Sequence, residues 1–316
     1  MELRAIYPEI CFIVTAISLS LSSLVIFLSY RVLKGSGQRE YSWIMAFNAG
    51  VDFFYSLTHG IVMPSEVVGT ASTAYFAVEN PYLQHIPSFA VRNAGFFLLV
   101  VDLSSAPCSA VHFYYRYRLL CKGDLWSKRR YVGTYGMALA AIFFTVLLFC
   151  ASLNLANERS REELLVVAGY LVCPPHVYVT LGDPIFILCM CICQLMFVAE
   201  YSIIVFCGQR IIRHAQQGTS AAISTRKAQK HLITVMILQA AYPLILYFLP
   251  FICVTAMLST GVKFQSASYI AGLSLQLLSP LNSISVLTLM PAYRRALTGK
   301  SANTSGSRFA FSSVAG

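Results

Sequence analysis

Asp52, Asp102, Glu200 and His59 are the residues of this sequence best placed to do chemistry, because each interrupts a long apolar run. A titratable side chain in hydrocarbon is costly, and it is retained where it faces a bundle interior, a partner or a polar path. No catalytic constellation accompanies these residues. There is no HExxH, no GxSxG, no phosphate-binding glycine loop and no His/Cys spacing suited to zinc. Cys189, Cys191 and Cys193 alternate, but a spacing of two on a helix turns side chains about 200° apart, so they do not converge on one metal. The expectation is a non-enzyme with no cofactor, whose buried polar groups bind or switch.

The elements that hold them are membrane spans. The chain has 316 residues, 57% hydrophobic and only 11% charged, against about 25% charged in soluble domains. Mean hydropathy is +0.66. The net charge of +10 does not point to nucleic acid, because the cations lie in clusters between apolar runs. Seven runs are long enough to cross about 30 Å of hydrocarbon: 10–30, 42–63, 93–119, 131–153, 184–207, 229–257 and 266–290. No basic segment with a small-residue cleavage site precedes the first, so no cleaved signal peptide is expected. The expected fold is an all-α seven-helix bundle over 1–297. A Ser/Gly-rich tail, 298–316, is expected to be disordered.

The sixth run carries two prolines, Pro243 and Pro250, seven residues apart. Each lacks a backbone donor and clashes with the preceding turn, so both breaks open on nearly one face. Loop charge sets the orientation. Lys and Arg number 18 in the loops after the odd-numbered spans together with the tail, and 5 on the other side. The positive-inside rule then places the N-terminus outside and the C-terminus in the cytosol.

Helical rise converts position to depth. Asp52 is roughly 15 Å, and Asn282 roughly 12 Å, from the inner ends of their spans, so the two can meet, and Asn48 lies one turn from Asp52. The cluster reads either as a rearranging polar core or as a static hydrogen-bonded network. Asp102 lies roughly 21 Å above Arg116, with His59 at similar depth. These two read either as the wall of an externally open pocket or as a mutual pair satisfying two buried polar groups. Tyr247 and Gln276 share that outer half. Glu200 sits near mid-depth and either pairs with a neighbour or titrates.

Three stretches resemble one family. YRYRLL, from Tyr115 to Leu120, resembles the end of the third helix in the Str superfamily of nematode chemoreceptors. The run 229–250, with Gln239, Pro243 and Pro250, resembles that superfamily's sixth helix. SPLNSISVLTLMPAYRRAL, from Ser279 to Leu297, is similar to its seventh helix and the turn beyond. The subfamily among the Str, Srd, Srh, Sri and Srj groups stays open.

The resemblance implies a G-protein-coupled receptor for odorants, pheromones or other small cues, in the ciliary membrane of sensory neurons. Its partners would be a small, fairly hydrophobic ligand, a heterotrimeric G protein and the bilayer. Arg116 would match the arginine that rhodopsin-like receptors use at the inner end of the third helix. Tyr115 stands where those receptors carry an acid, and Ser283 where a proline commonly follows the Asn or Asp of the seventh helix. Arg116, Tyr117, Arg118, Arg210, Arg213, Lys227 and Lys230 would form the G-protein face; alternatively these cations only orient the chain. No cysteine near the outer start of the third helix is placed to reach Cys173. The alternative function is a ligand-gated channel or small-solute transporter using Asp52, Asp102, Glu200 and His59 as a polar path. Spans so rich in Leu, Ile and Phe leave few groups for one.

Overall fold

The computed structural model describes residues 2–35, 39–68, 73–217, 223–250, 252 and 265–298. It is a bundle of seven transmembrane helices, and the chain is a multi-pass membrane protein. The spans are α1 (Glu2–Gly35), α2 (Arg39–Val62), α3 (Ser88–Lys122), α4 (Lys128–Ser152), α6 (Pro184–Gln217), α7 (Ile223–Pro243) with its continuation, and α8 (Gln265–Gln276) with α9 (Leu278–Leu289). A short α10, Pro291–Leu297, follows. Of the described residues, five helical segments are individually long and apolar enough to cross a membrane. α2 and α7 complete the bundle despite Asp52 and the proline break.

Prolines shape the last two spans. Pro243 has no N–H to return to the preceding turn, and Leu244–Phe248 widens into a π-helical turn in which the N–H of Leu249 reaches the carbonyl of Leu244. Tyr201 Oη–H, from α6, donates to the loosened Ala240 carbonyl at 3.0 Å. The seventh span, read as one helix over 266–290, is two. Pro280 cannot donate to Gln276, and at the break the N–H of Leu277 is shared between the carbonyls of Leu273 and Ser274, both at 3.2 Å. α10 docks through Tyr293, which is buried and hydrogen-bonded to Ser29 of α1 at 2.7 Å.

One end of the bundle carries a sheet that hydropathy did not foretell. The connection after α2 forms a hairpin, β1 (Pro64–Val68) and β2 (Thr73–Val78); the connection after α4 supplies β3 (Asn154–Leu155), α5 (Glu158–Ala168) and β4 (His176–Thr180). The order is β1-β2-β4-β3, all antiparallel, with Tyr75 facing Tyr178 across the β2–β4 pair. Asn157 caps α5 in a reciprocal capping box with Ser160. Five paired positions from Thr73↔Thr180 to Ala77↔His176 join the two connections. They tie these connections without a covalent bridge, and Cys173 is a free thiol.

Glu79 pins the cap to the bundle. Its carboxylate accepts from Ser65 at 2.8 Å, from Tyr269 of α8 at 3.3 Å and from Tyr170. Arg4 of α1 lies 3.3 Å above the Tyr170 ring and donates to the Gly169 carbonyl at 3.2 Å. Burial, with the Glu79 carboxylate beside it, pushes the Tyr170 hydroxyl well above its usual pKa.

Candidate functional site

Two groups of buried polar side chains occupy the bundle at different depths. Nearer the capped end, His59 of α2 meets Asp102 of α3, Nε2 to Oδ1, at 2.7 Å. His59 is fully buried and Asp102 is 5% exposed. α1 approaches closely here: a Cβ on Gly60 would lie 2.4 Å from Thr15 Cγ2, so the glycine sets the spacing beside His59. Tyr55 lies one turn below, its ring 4.6 Å from the imidazole, and its hydroxyl donates to the Leu275 carbonyl at 2.9 Å. The two side chains thus satisfy each other across α2 and α3.

Of the other two residues expected in that outer half, Tyr247 lies within electrostatic reach of Asp102 and Glu66. Tyr247 lies in the π-helical turn and stacks on Phe197 of α6 at 5.4 Å. Gln276 ends α8, is 3% exposed, and meets the Cys11 thiol of α1. The break at Leu277 fixes where that side chain points. A residue missed in the sequence is Glu66 of β1: its side chain is solvent-accessible, yet protein surrounds it closely enough to push its pKa up by burial, with Asp102 adding repulsion. Its position in a Pro-rich connection gave no hint of this.

Deeper in the bundle, Asn282 Nδ2 of α9 donates to Asp52 Oδ1 of α2 at 3.0 Å. The two residues face a cavity of about 30 Å³, lined also by Asn48, Ser105, Ser109, His112, Gln239 and Pro243. That is room for about two waters among many polar partners. Asn48 does not bond Asp52. It accepts from the Cys108 thiol at 3.2 Å and lies 3.4 Å from His112 Nδ1. Ser105, Cys108, Ser109, His112 and Arg116 recur at three- and four-residue steps on α3, so one face of that helix runs from the cavity to Arg116. That spacing was a usable signal for His112. A serine chain flanks the cavity: Ser18 meets Ser56 at 2.5 Å and donates to Ser279 at 2.7 Å, and Ser22 meets Ser283 at 3.3 Å. Ser283, where a proline would remove a donor, thus supplies a hydroxyl link to α1. Pro250 is half-buried two residues beyond the π segment and does not line this cavity.

At the end opposite the sheet, Tyr115 is buried against Trp126 and Tyr131, with ring centroids 6.1 and 5.6 Å away. Aromatic packing occupies the place of an acid–arginine lock. Arg116 is 6% exposed. Arg118 binds Asp124 at 2.5 Å, which holds that carboxyl below the usual range, and Arg130 approaches the same carboxylate at 3.5 Å. Tyr117 packs on Phe206 at 6.0 Å, and Arg210 and Arg213 are exposed. Lys227 and Lys230 lie on α7, but their side chains fall outside the described residues, as does the tail beyond Thr298.

The acids form no continuous path. Asp52 faces the deep cavity, Asp102 is closed by His59, and Glu200 borders a separate void lined by Leu103, Ile142, Cys193, Met196 and Phe197. Among the described residues no His/Cys/Asp/Glu group is arranged to hold a metal.

Comparison with known proteins decides the family. Residues 83–301 match the family model described as "Serpentine type 7TM GPCR chemoreceptor Srh". The chain belongs to the Srh family. This places it within the Str superfamily and resolves the open subfamily. Srh members are G-protein-coupled chemosensory receptors, and neither family nor fold is that of an enzyme. In general terms such a receptor takes a small ligand and couples to a G protein. No curated protein matches. Among solved structures, the crystal structure of squid rhodopsin aligns with a TM-score of 0.64 at 15% identity, covering 94% of this chain and 85% of that one. At that identity the likeness is one of fold.

Proposed function

We propose that this Srh receptor lies in the plasma membrane of sensory cilia with its sheet-capped end outside. It binds a small, fairly hydrophobic molecule under that cap and passes the signal through the Asp52 cavity to a G protein. The asymmetry of loop charge supports the orientation. Glu66, the His59–Asp102 pair and Tyr247, which lie within electrostatic reach of one another, form the receiving end. The polar cavity that joins α2, α3, α7 and α9 at Pro243 is the observation that carries the reading. It adjoins the one proline whose helix is already widened, and His112 on its wall lies one turn from Arg116. Closing or hydrating this space changes which helices share the Asp52 carboxylate, and the bend at Pro243 supplies the movement. Arg116, Tyr117, Arg118, Arg210, Arg213, Lys227 and Lys230 face the G protein.

The test is expression in cells carrying G-protein activation sensors, exposed to a panel of volatile and lipid-soluble molecules, with epitope tags reporting which terminus is outside. A panel member should activate a sensor in receptor-bearing cells alone. A compound that binds the purified receptor yet never recruits any G protein overturns the coupling, and an intracellular N-terminus overturns the orientation.

A further inference from the structure

Glu200 is the buried acid that the signalling reading does not use. It lies at the middle of α6, 16 residues after Pro184 and 17 before Gln217, so hydrocarbon rather than headgroup surrounds it. Among the described residues its carboxyl makes no hydrogen bond and no ion pair. It is half-buried at a void of about 10 Å³ where α6 meets Leu103 of α3 and Ile142 of α4. The rest of that wall is Cys193, Met196 and Phe197. The span of α6 is the least buried of the five apolar spans, and Leu195, Val198 and Ile203 around Glu200 are exposed on the lipid side.

We propose that the α3–α4–α6 seam is a lipid-facing binding site for an apolar molecule bearing one hydroxyl, a long-chain alcohol in chemical class, with Glu200 as its polar anchor. A carboxyl at mid-membrane without a partner in its own chain leaves polar atoms unsatisfied in hydrocarbon, which is strongly unfavourable. A hydroxyl relieves this in either protonation state, since it both donates and accepts. The void is the size of about one water, so it admits one oxygen atom and no larger head. The tail then lies along Leu103 and Met196, the half-buried residues of that wall on the open side of the seam. A hydroxyl is also far cheaper than an ammonium to carry to mid-bilayer. The site is reached from within the membrane, apart from the Asp52 cavity, and it stands whether or not the signalling reading does.

The experiment uses the full-length receptor in phosphatidylcholine nanodiscs and hexadecanol carrying a diazirine on its chain, with labelled peptides mapped by mass spectrometry. Label should fall on the α6 peptide containing Glu200 and on its α3 and α4 neighbours, and unlabelled hexadecanol should compete while hexadecane does not. Glu200→Leu should cut labelling about fivefold, the loss expected for one hydrogen bond. Glu200→Gln, which keeps donor and acceptor, should remain within about twofold of the wild type. Equal competition by hexadecane, label outside the seam, or unchanged labelling of Glu200→Leu overturns the proposal. Two other results do the same: much stronger competition by hexadecylamine makes this a cation site, and dimeric discs that lose both label and dimer on Glu200→Leu make the occupant a second copy. The alcohol–alkane comparison is made on the wild type, so a variant that fails to fold leaves the test intact. No G protein is present, so failure here and failure of coupling are separate results.

Discussion

Asp102 and Asp52 are both aspartates inside the bundle, and they are held in opposite ways. Asp102 is closed: a fully buried imidazole sits 2.7 Å away, and the pair bridges α2 and α3. Asp52 has one hydrogen bond, from Asn282, and otherwise faces a polar cavity bounded by four helices. A closed pair in a low-dielectric interior is strongly held as long as both partners remain. An acid beside a partly filled cavity can change partners at little cost, because hydrogen bonds are exchanged for others of similar strength. The contrast assigns fixation to the capped half of the bundle and rearrangement to the half nearer Arg116.

The largest effect is expected at the closed pair. Asp102→Ala leaves a buried imidazole alone and should lower stability by about 3–5 kcal/mol, read as a fall in thermal midpoint of the purified receptor. Replacing both His59 and Asp102 by leucine should recover most of that loss, because no charged or polar group then remains unpaired. A double variant no more stable than Asp102→Ala removes the pair from the account. At the open acid the pattern should invert. Asp52→Asn keeps an acceptor for Asn282, so its cost should stay under about 1 kcal/mol. Its basal G-protein nucleotide exchange, measured in proteoliposomes, should shift by about tenfold, the equivalent of 1.4 kcal/mol between two states. Equal destabilisation by Asp52→Asn and Asp102→Ala would erase the contrast.

Pro243 sharpens the same comparison from the helix side. Pro243→Ala restores the missing N–H and should draw the π-helical turn back toward a regular helix. Insertion and folding should be intact while agonist or basal signalling falls several-fold, as expected for a helix break that serves movement rather than stability. Hydrogen exchange over 244–248 should slow in the variant. Unchanged signalling takes the hinge out of the mechanism.

Some of this was legible from the chain and some was not, for physical reasons. Spans announce themselves because uncharged runs of fixed length have few other uses, and residue depth follows from helical rise. That is why the sequence alone can match Asp52 with Asn282, and His59 with Asp102. The sheet was not legible. The segment 64–92 holds three prolines and no long apolar alternation, and β2 is defined by its pairing with a strand about a hundred residues later. Gln276 was grouped with Tyr247 on depth alone, whereas the break at Leu277 turns the two halves of that span separately. Glu66 was invisible because nothing local says that a loop carboxylate folds under a cap.

The smallest predicted effect extends the comparison to a second histidine. His59 has a carboxylate partner; His176, on β4, has none, and its ring meets the Pro174 carbonyl at 3.0 Å and Ser160 Oγ at 3.1 Å. Burial, reinforced by the Arg161 charge, lowers the His176 pKa below its ordinary value of about 6.5. The unfolded chain therefore binds a proton more readily than the folded one. The stability contributed by the neutral ring is complete above about pH 6.5 and declines as pH falls toward the lowered value, by at most about 1.4 kcal/mol per unit. Hydrogen exchange of 176–180, corrected for intrinsic rates, should accelerate between pH 7 and 5 by up to about tenfold per unit. His176→Gln should flatten the response of the strand. A strand equally protected across that range would mean that the cap tolerates the charged ring and would remove the burial of His176 from the account.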